Sequence, residues 1–379
     1  MEWNKLTDNE KVLSGTFSLK LKEPTPVQEA VYKKILDGKN LLVKAETGTG
    51  KTFAYLLPLF EKYKDMSGEN KILILVPTHE LAMQVAKEAR KVSTATGIPF
   101  KCATAVGNAN INHQIEALKN KPEVIVGSAG RVLELIEKKK IAAHLIKTIV
   151  LDEGDRLFDK TCADGTHEVI KKAMRDVQLL LFSASSLKNT KENFEKWKSD
   201  YEEIDVTGKL SVPKNIHNWY VVVDERYKIE NLRGIIKNIR TKKAMIFINN
   251  PAVIEAAYEK LSFHHYSVDY IHGDRKGEDR KKAIDGFNKG KIKYLLATDV
   301  AARGLHFDGV DTVFHVSLAE KPTDYLHRAG RTGRNGAYGR NIVICSKKEL
   351  PLIKRYEKEL NIVFEEKQYE YGKFGNKRP

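Results

Sequence analysis

Cysteine is scarce in this chain. Its three cysteines, Cys102, Cys162 and Cys345, lie far apart and form no Cys-x-x-Cys pair. That spacing speaks against a disulfide framework and a structural zinc site, and suits a reducing compartment. Long apolar runs are missing too. Stretches such as Ile72-Leu-Ile-Leu-Val76 are far shorter than the roughly 20 residues a membrane-spanning helix needs. The opening Met1-Glu-Trp-Asn-Lys-Leu6 has no basic region followed by an apolar core, so no signal peptide is visible and a cytoplasmic protein is expected. Acidic residues are outnumbered: 65 Lys and Arg stand against 50 Asp and Glu, a net charge of +15. Such a balance favours an anionic polymer as partner, most simply nucleic acid, although excess lysine also serves as plain solvated surface.

What the chain does have is material for two domains. Its 379 residues exceed one ordinary core, and 41% apolar with 30% charged residues describes a globular chain. Short β-rich runs recur at 41–43, 72–76, 102–106, 124–126, 149–151 and 179–182, then again at 220–223, 244–248, 268–271, 294–297, 312–316 and 341–345. Amphipathic stretches such as Leu81-Ala-Met-Gln-Val-Ala-Lys-Glu-Ala-Arg90 separate most of them, which predicts a parallel α/β sheet in each half. The polar, Gly- and Pro-bearing stretch Asp205-Val-Thr-Gly-Lys-Leu-Ser-Val-Pro-Lys214 reads as the connection. The boundaries are therefore a first domain at 1–207, a linker at 208–214, a second domain at 215–366 and a basic tail at 367–379. The tail carries spaced aromatics that could stack bases, but reads first as a frayed terminus.

The most informative stretch is Ala45-Glu-Thr-Gly-Thr-Gly-Lys-Thr52, set between the apolar run at 41–43 and the helix-like Phe53-Ala-Tyr-Leu-Leu57. Strand, glycine loop, Gly-Lys-Thr and helix make a phosphate-binding P-loop. Gly48 and Gly50 let backbone N–H groups turn toward phosphate oxygens, with Glu46, Thr47 and Thr49 completing the loop. Lys51 offers a point charge to the β- and γ-phosphates, and Thr52 a hydroxyl to Mg²⁺. A mere Gly-rich turn would not need Lys-Thr directly after the second glycine. About one hundred residues further on, Thr148-Ile-Val-Leu-Asp-Glu-Gly-Asp155 delivers carboxylates at a strand end. Asp152 is placed to hold Mg²⁺, and Glu153 to polarise an attacking water. In the second half, Tyr325-Leu-His-Arg-Ala-Gly-Arg-Thr-Gly-Arg334 spaces Arg328, Arg331 and Arg334 by three. That spacing predicts one helical face or tight loop aimed at a single anion, such as the transition-state γ-phosphate. A basic RNA-binding patch is the other reading.

Taken in order, these and further motifs resemble the DEAD-box RNA helicases. In the first half they are Pro24-Thr-Pro-Val-Gln28, the P-loop, Pro77-Thr-His-Glu-Leu-Ala82, Ser128-Ala-Gly-Arg131, Asp152-Glu-Gly-Asp155 and Ser183-Ala-Ser185. In the second half they are His272-Gly-Asp274, Ala297-Thr-Asp-Val-Ala-Ala-Arg-Gly304 and His327-Arg-Ala-Gly-Arg-Thr-Gly-Arg334. The resemblance implies two RecA-like domains, each a mainly parallel sheet flanked by helices, with Lys51, Asp152, Glu153, Arg331 and Arg334 as the hydrolytic set. It assigns Gln28 to adenine recognition and Trp3 to stacking on the base. A capping box and a core plug, respectively, explain those two residues as well. Gly304 and His306 would join the ATP site. RNA phosphates would meet Pro77, Thr78, Gly107, Gly130, Arg131, Arg280, Thr298 and Asp299, though helix capping also accounts for the hydroxyls of Thr78 and Ser128. Asp155, Ser183, Ser185, His327 and Arg328 would couple the two domains.

The chain departs from the family's pattern in places. Gly154 stands where the family has alanine, Ser185 where it has threonine, and His79 and Ala129 where it has Arg and Pro. Lys20-Leu21 replaces Gly-Phe, Gly277 replaces a glutamine, and His306 replaces an aspartate that contacts the ATP ribose. The expected function is an ATP- and Mg²⁺-dependent RNA helicase that opens short duplexes locally as a monomer. The resemblance is to a minimal bacterial form associated with ribosomal RNA and pre-ribosomal particles. An ATP-switched RNA clamp or chaperone with weak hydrolysis, and a DNA helicase of the same superfamily, are the alternatives.

Overall fold

The computed structural model describes residues 2–45, 49–65, 70–107, 109–159, 161–183, 188–206, 215–273, 275, 277–302, 305, 307–333 and 337–376. The chain divides into two compact units, Met1–Thr207 and Gly208–Pro379. The proposed linker at 208–214 lies outside the described residues.

In the first unit, β1 (Leu41–Lys44), β2 (Ile72–Leu75), β3 (Cys102–Ala105), β4 (Val124–Gly127), β5 (Thr148–Asp152), β6 (Gln178–Ser183) and β7 (Glu202–Asp205) form one sheet. Its order is β3-β4-β2-β5-β6-β1-β7, and every neighbouring pair is parallel. Period-two alternation builds a core on each face. Val43, Ile72, Ile74, Val126, Val150 and Phe182 point to one side, while Leu42, Leu73, Ile125, Ile149, Leu151 and Leu181 point to the other.

The second unit repeats the plan with β8 (Ile216–Val222), β9 (Ala244–Phe247), β10 (Val268–Ile271), β11 (Tyr294–Ala297), β12 (Thr312–His315), β13 (Gly339–Cys345), β14 (Phe364–Glu370) and β15 (Lys373–Asn376). The order is β10-β11-β9-β12-β13-β8-β14-β15. All pairs are parallel except the β14–β15 hairpin.

Two features differ from the sequence reading. The strand β7 is unforeseen, because Glu202-Glu-Ile-Asp205 is largely charged. As an edge strand it can expose alternate residues to water. The tail is not frayed up to Asn376, since its residues form β14 and β15. Among the interactions that hold it there, β14 adds to β8, and Phe374 packs on Trp219 with ring centroids 6.0 Å apart.

Candidate nucleotide- and RNA-binding site

Because the first sheet is wholly parallel, every strand delivers its following turn to the same carboxyl edge. The sheet order sorts these turns. Over β3, β4 and β2 stand Gly107, Gly130, Arg131, Pro77 and Thr78. Over β5, β6 and β1 stand Asp152, Glu153, Ser183 and the P-loop. Neighbouring strands are about 4.8 Å apart, so the two groups sit side by side on one edge.

The P-loop strand ends at Lys44, paired with Ser183, and Lys51 opens the helix Lys51–Lys62. Gly50, the residue before that helix, has φ 85° and ψ 25°, a left-handed conformation that suits glycine. A Cβ there would also come within 2.6 Å of the Gln28 amide nitrogen. The Lys51 ammonium donates to the Ala45 carbonyl at 2.7 Å, joining the two ends of the loop. Glu46, Thr47 and Gly48 lie outside the described residues, as do Ser185, Gly304, His306 and Arg334.

Asp152 closes β5 and is only 4% exposed. Its Oδ2 accepts from the Tyr55 hydroxyl at 2.9 Å and its Oδ1 from the Glu153 N–H at 3.0 Å. Burial pushes its pKa up to about 6, and the nearby Glu153 adds to this. Lys51, Tyr55 and the Glu153 N–H pull the other way. Tyr55 was not foreseen, although it lies one helical turn beyond Lys51 on the same face. Its own pKa is raised well above 10, chiefly by burial and then by Asp152, so it remains a donor. Glu153 has φ 53°, an unusual conformation for a glutamate, and its Oε2 is buried with no hydrogen-bond partner among the described residues. Arg156 stands 3.6 Å from that oxygen, an ion-pair separation longer than a hydrogen bond.

Gly154 is buried at the start of the short helix Gly154–Leu157. A Cβ on it would lie 2.6 Å from Leu181 Cγ and 2.7 Å from Leu181 Cδ2. The glycine therefore packs directly against β6, and the space of the family's alanine methyl is filled by leucine. Gly154→Ala is expected to destabilise the first unit by about 1–3 kcal/mol through overpacking. Leu181→Val in the same chain should recover part of the loss. Thermal unfolding of the single and double variants checks this, and equal melting of Gly154→Ala and parent would refute it.

Gln28 shows both ends of its carboxamide at work. Its Oε1 accepts from Thr25 N–H at 2.8 Å, completing a capping box on the helix Pro26–Leu36, and its Nε2 donates to the Gly50 carbonyl at 3.1 Å. Trp3 is 6% exposed, donates its indole N–H to the Leu21 carbonyl at 2.9 Å and meets Tyr32 edge-on. Packing of this kind leaves its ring little surface to offer a base. Thr78 caps the helix His79–Thr96 by accepting from Leu81 N–H at 3.2 Å, whereas Ser128 makes no such side-chain bond for Ala129–Glu137. Arg131 donates to the Ala109 carbonyl at 3.1 Å and pairs with Glu134 at 3.0 Å. Cβ atoms at Gly107 or Gly130 would meet nothing within 4 Å, so backbone is open to approach at both positions.

The second unit gathers Arg280, Thr298, Asp299 and Arg328 around the four-residue helix Asp299–Ala302. Thr298 accepts from Ala301 N–H at 3.2 Å, and Arg280 donates to the Ala301 carbonyl at 3.0 Å. Arg328 forks onto Asp299 at 2.6 and 2.5 Å, donates to the Ser317 carbonyl, and lies over the Phe247 ring. It is 2% exposed. This takes Arg328 out of the three arginines read as aimed at one anion. The helix Pro322–Ala329 ends before Arg331, so a spacing of three does not put Arg328 and Arg331 on one face. Arg331 donates to the Leu305 carbonyl. His327 lies beside Arg328 on the same helix, and Asp155 lies in the helix Gly154–Leu157. Among the described residues, no three His, Cys, Asp or Glu side chains cluster as metal ligands, and no helix is long and apolar enough to cross a membrane.

A glycine loop closed by lysine at a helix start, two strands away from a buried strand-end carboxylate, defines a P-loop nucleoside triphosphatase. Residues 25–193 match the DEAD/DEAH box helicase family, and residues 227–336 match the helicase conserved C-terminal domain. The chain belongs to the DEAD-box helicase family. It is 35% identical to the probable ATP-dependent RNA helicase YfmL of Bacillus subtilis, covering 94% of this chain and 93% of the relative. It is also 35% identical to the DEAD-box ATP-dependent RNA helicase CshC of Bacillus cereus, covering 94% and 91%. Among solved structures, S. cerevisiae Dbp5 bound to RNA and ADP BeF3 superposes with a TM-score of 0.87 at 26% identity, covering 97% of this chain and 95% of that one.

Proposed function

We propose that this ATP-dependent RNA helicase opens short RNA duplexes locally, with RNA held over β3-β4-β2 and ATP phosphates over β5-β6-β1. The division of one sheet edge between these two groups is the observation that carries the reading. In it, Lys51 and the P-loop amides bind the phosphates, and Glu153 takes the proton of the attacking water. Gln28 reads adenine, and Arg331 and Arg334 stabilise the transition-state charge. Magnesium fits at Asp152 and Thr52. A desolvated carboxylate pushed up to about 6 is eased by a cation, and such an ion takes most of its ligands from phosphates and water. When bound, it supplies neutralisation of charge on the phosphate oxygens. Open backbone at Gly107 and Gly130, with Thr78 and Arg131, suits contact with RNA phosphates and little base readout. The expected ribose contact of His306 belongs to the same reading.

The finer setting is proposed too: a cytoplasmic monomer acting on ribosomal RNA or pre-ribosomal particles. The net charge of +15 and three unpaired cysteines support it. The test is strand displacement. A labelled RNA duplex of about one turn with a single-stranded flank should open only with ATP, and a DNA duplex of equal stability should open poorly. ATP-independent annealing with no displacement would favour the clamp, and equal opening of DNA would favour the DNA helicase.

A further inference from the structure

The β14–β15 hairpin turns through Tyr371 and Gly372, with Glu370 and Lys373 facing each other across it. Both turn residues are left-handed, at φ 48° and φ 75°. Tight hairpins of this kind favour Asn-Gly or Asp-Gly, because a bulky side chain is strained there. Elsewhere the chain places Asn361 at φ 51° after the helix Leu350–Leu360, and Lys20, Lys121, Lys139 and His265 also take positive φ, but Tyr371 brings an aromatic ring to a hairpin turn. Packing does not explain Tyr371, whose side chain is 99% exposed. A strained aromatic held in water points to a use for its ring.

The base of the hairpin is anchored. On the helix Lys228–Asn238, a Cβ at Gly234 would sit 2.0 Å from the Tyr369 hydroxyl, so only glycine lets β14 approach so closely. Asn238 donates to the Gly372 carbonyl at 3.0 Å and accepts from Phe374 N–H at 3.4 Å. Those bonds tie the tip to the end of the helix, where Lys237 and Arg240 flank Asn238 and are exposed. Lys373 is exposed as well, and faces Glu370 across the turn.

We propose that this tip is a stacking platform for a base of single-stranded RNA, outside the helicase motifs, with Lys373, Lys237 and Arg240 supplying positive charge for the adjoining phosphates. The proposal rests on RNA being the polymer bound. Every base offers a π-face, so the contact is tolerant of sequence. It stands at the opposite end of the second sheet from Arg280 and Thr298, which follow β10 and β11, so it would be a separate contact and does not touch the hydrolytic groups.

The experiment measures binding of a fluorescent single-stranded RNA, without nucleotide, to the full chain and to Tyr371→Asn, Tyr371→Trp and Lys373→Ala. Asparagine suits the turn, so Tyr371→Asn should melt at or above the parent temperature and keep basal ATP hydrolysis, yet bind RNA roughly 5- to 150-fold more weakly. Tyr371→Trp should bind at least as well as the parent. Lys373→Ala should lower the slope of log affinity against log salt by about 0.7. Parental RNA affinity in Tyr371→Asn overturns the platform and leaves Tyr371 to a protein contact. If the parent itself binds no RNA, the functional reading falls with it.

Discussion

The Glu153→Gln protein is expected to bind ATP normally and hydrolyse it roughly 10²–10⁴-fold more slowly than the parent, in the presence of RNA. Glutamine keeps the size of the side chain and its place at φ 53°, so the backbone at the end of β5 is undisturbed. What is lost is the only atom type able to take a proton from water at that point. The Oε2 oxygen is buried, accepts no hydrogen bond among the described residues, and has Arg156 3.6 Å away. A buried acceptor left open in this way is costly in a merely structural residue and useful in a base. Lys51→Ala should behave differently, weakening ATP binding itself by removing the charge at the helix start. Single-turnover hydrolysis beside equilibrium binding of a fluorescent ATP analogue separates the two. A parental rate in Glu153→Gln would remove Glu153 from the chemistry.

Asp152→Asn is expected to stabilise the first unit at neutral pH while abolishing hydrolysis. The Asp152 carboxyl has its folded pKa raised to about 6 from an ordinary 3.8. An acid shifted upward costs stability when ionised. The cost is absent below about pH 4, grows as pH rises through the window, and is complete above about pH 6. Two pH units at about 1.4 kcal/mol each put that cost on the order of 3 kcal/mol. Asparagine removes the charge and can still accept from Glu153 N–H while donating to the Tyr55 oxygen. The melting temperature of the first unit should therefore rise by roughly 5–10 °C at pH 7.5, with no difference near pH 4. Equal melting of the two proteins at pH 7.5 would show that Asp152 bears no such burden.

The P-loop and the strand-end carboxylates were legible because their chemistry is local. A strand, a glycine turn and a helix start within a dozen residues define where phosphate goes. The central strands were legible for a similar reason, since Ile72–Leu75 and Gln178–Ser183 are buried on both faces and read as apolar runs. Glu202–Asp205 and Phe364–Glu370 were missed as strands because edge strands carry charge and their pairing is set by β1 and β8, far away in sequence. The arginine spacing misled for Arg328, because its partner Asp299 lies on another element far away in sequence. Gly154 read only as a departure from the family's alanine, yet its value lies in a contact with Leu181 that no neighbour in the sequence reveals.

By itself the sequence determined the fold class, the order of the motifs and the family, for these follow from periodicity and from residue types at short, fixed spacing. Only the tertiary structure decided what each side chain does. It sorted the motif turns onto two halves of one sheet edge, gave Asp152 its burial and its Tyr55 partner, and spent Arg328 on Asp299. It also turned the tail into a hairpin with Tyr371 at its tip. The physical reason is that burial, charge pairing and strain depend on which distant segments meet, and those meetings are set by how the strands order themselves across a sheet.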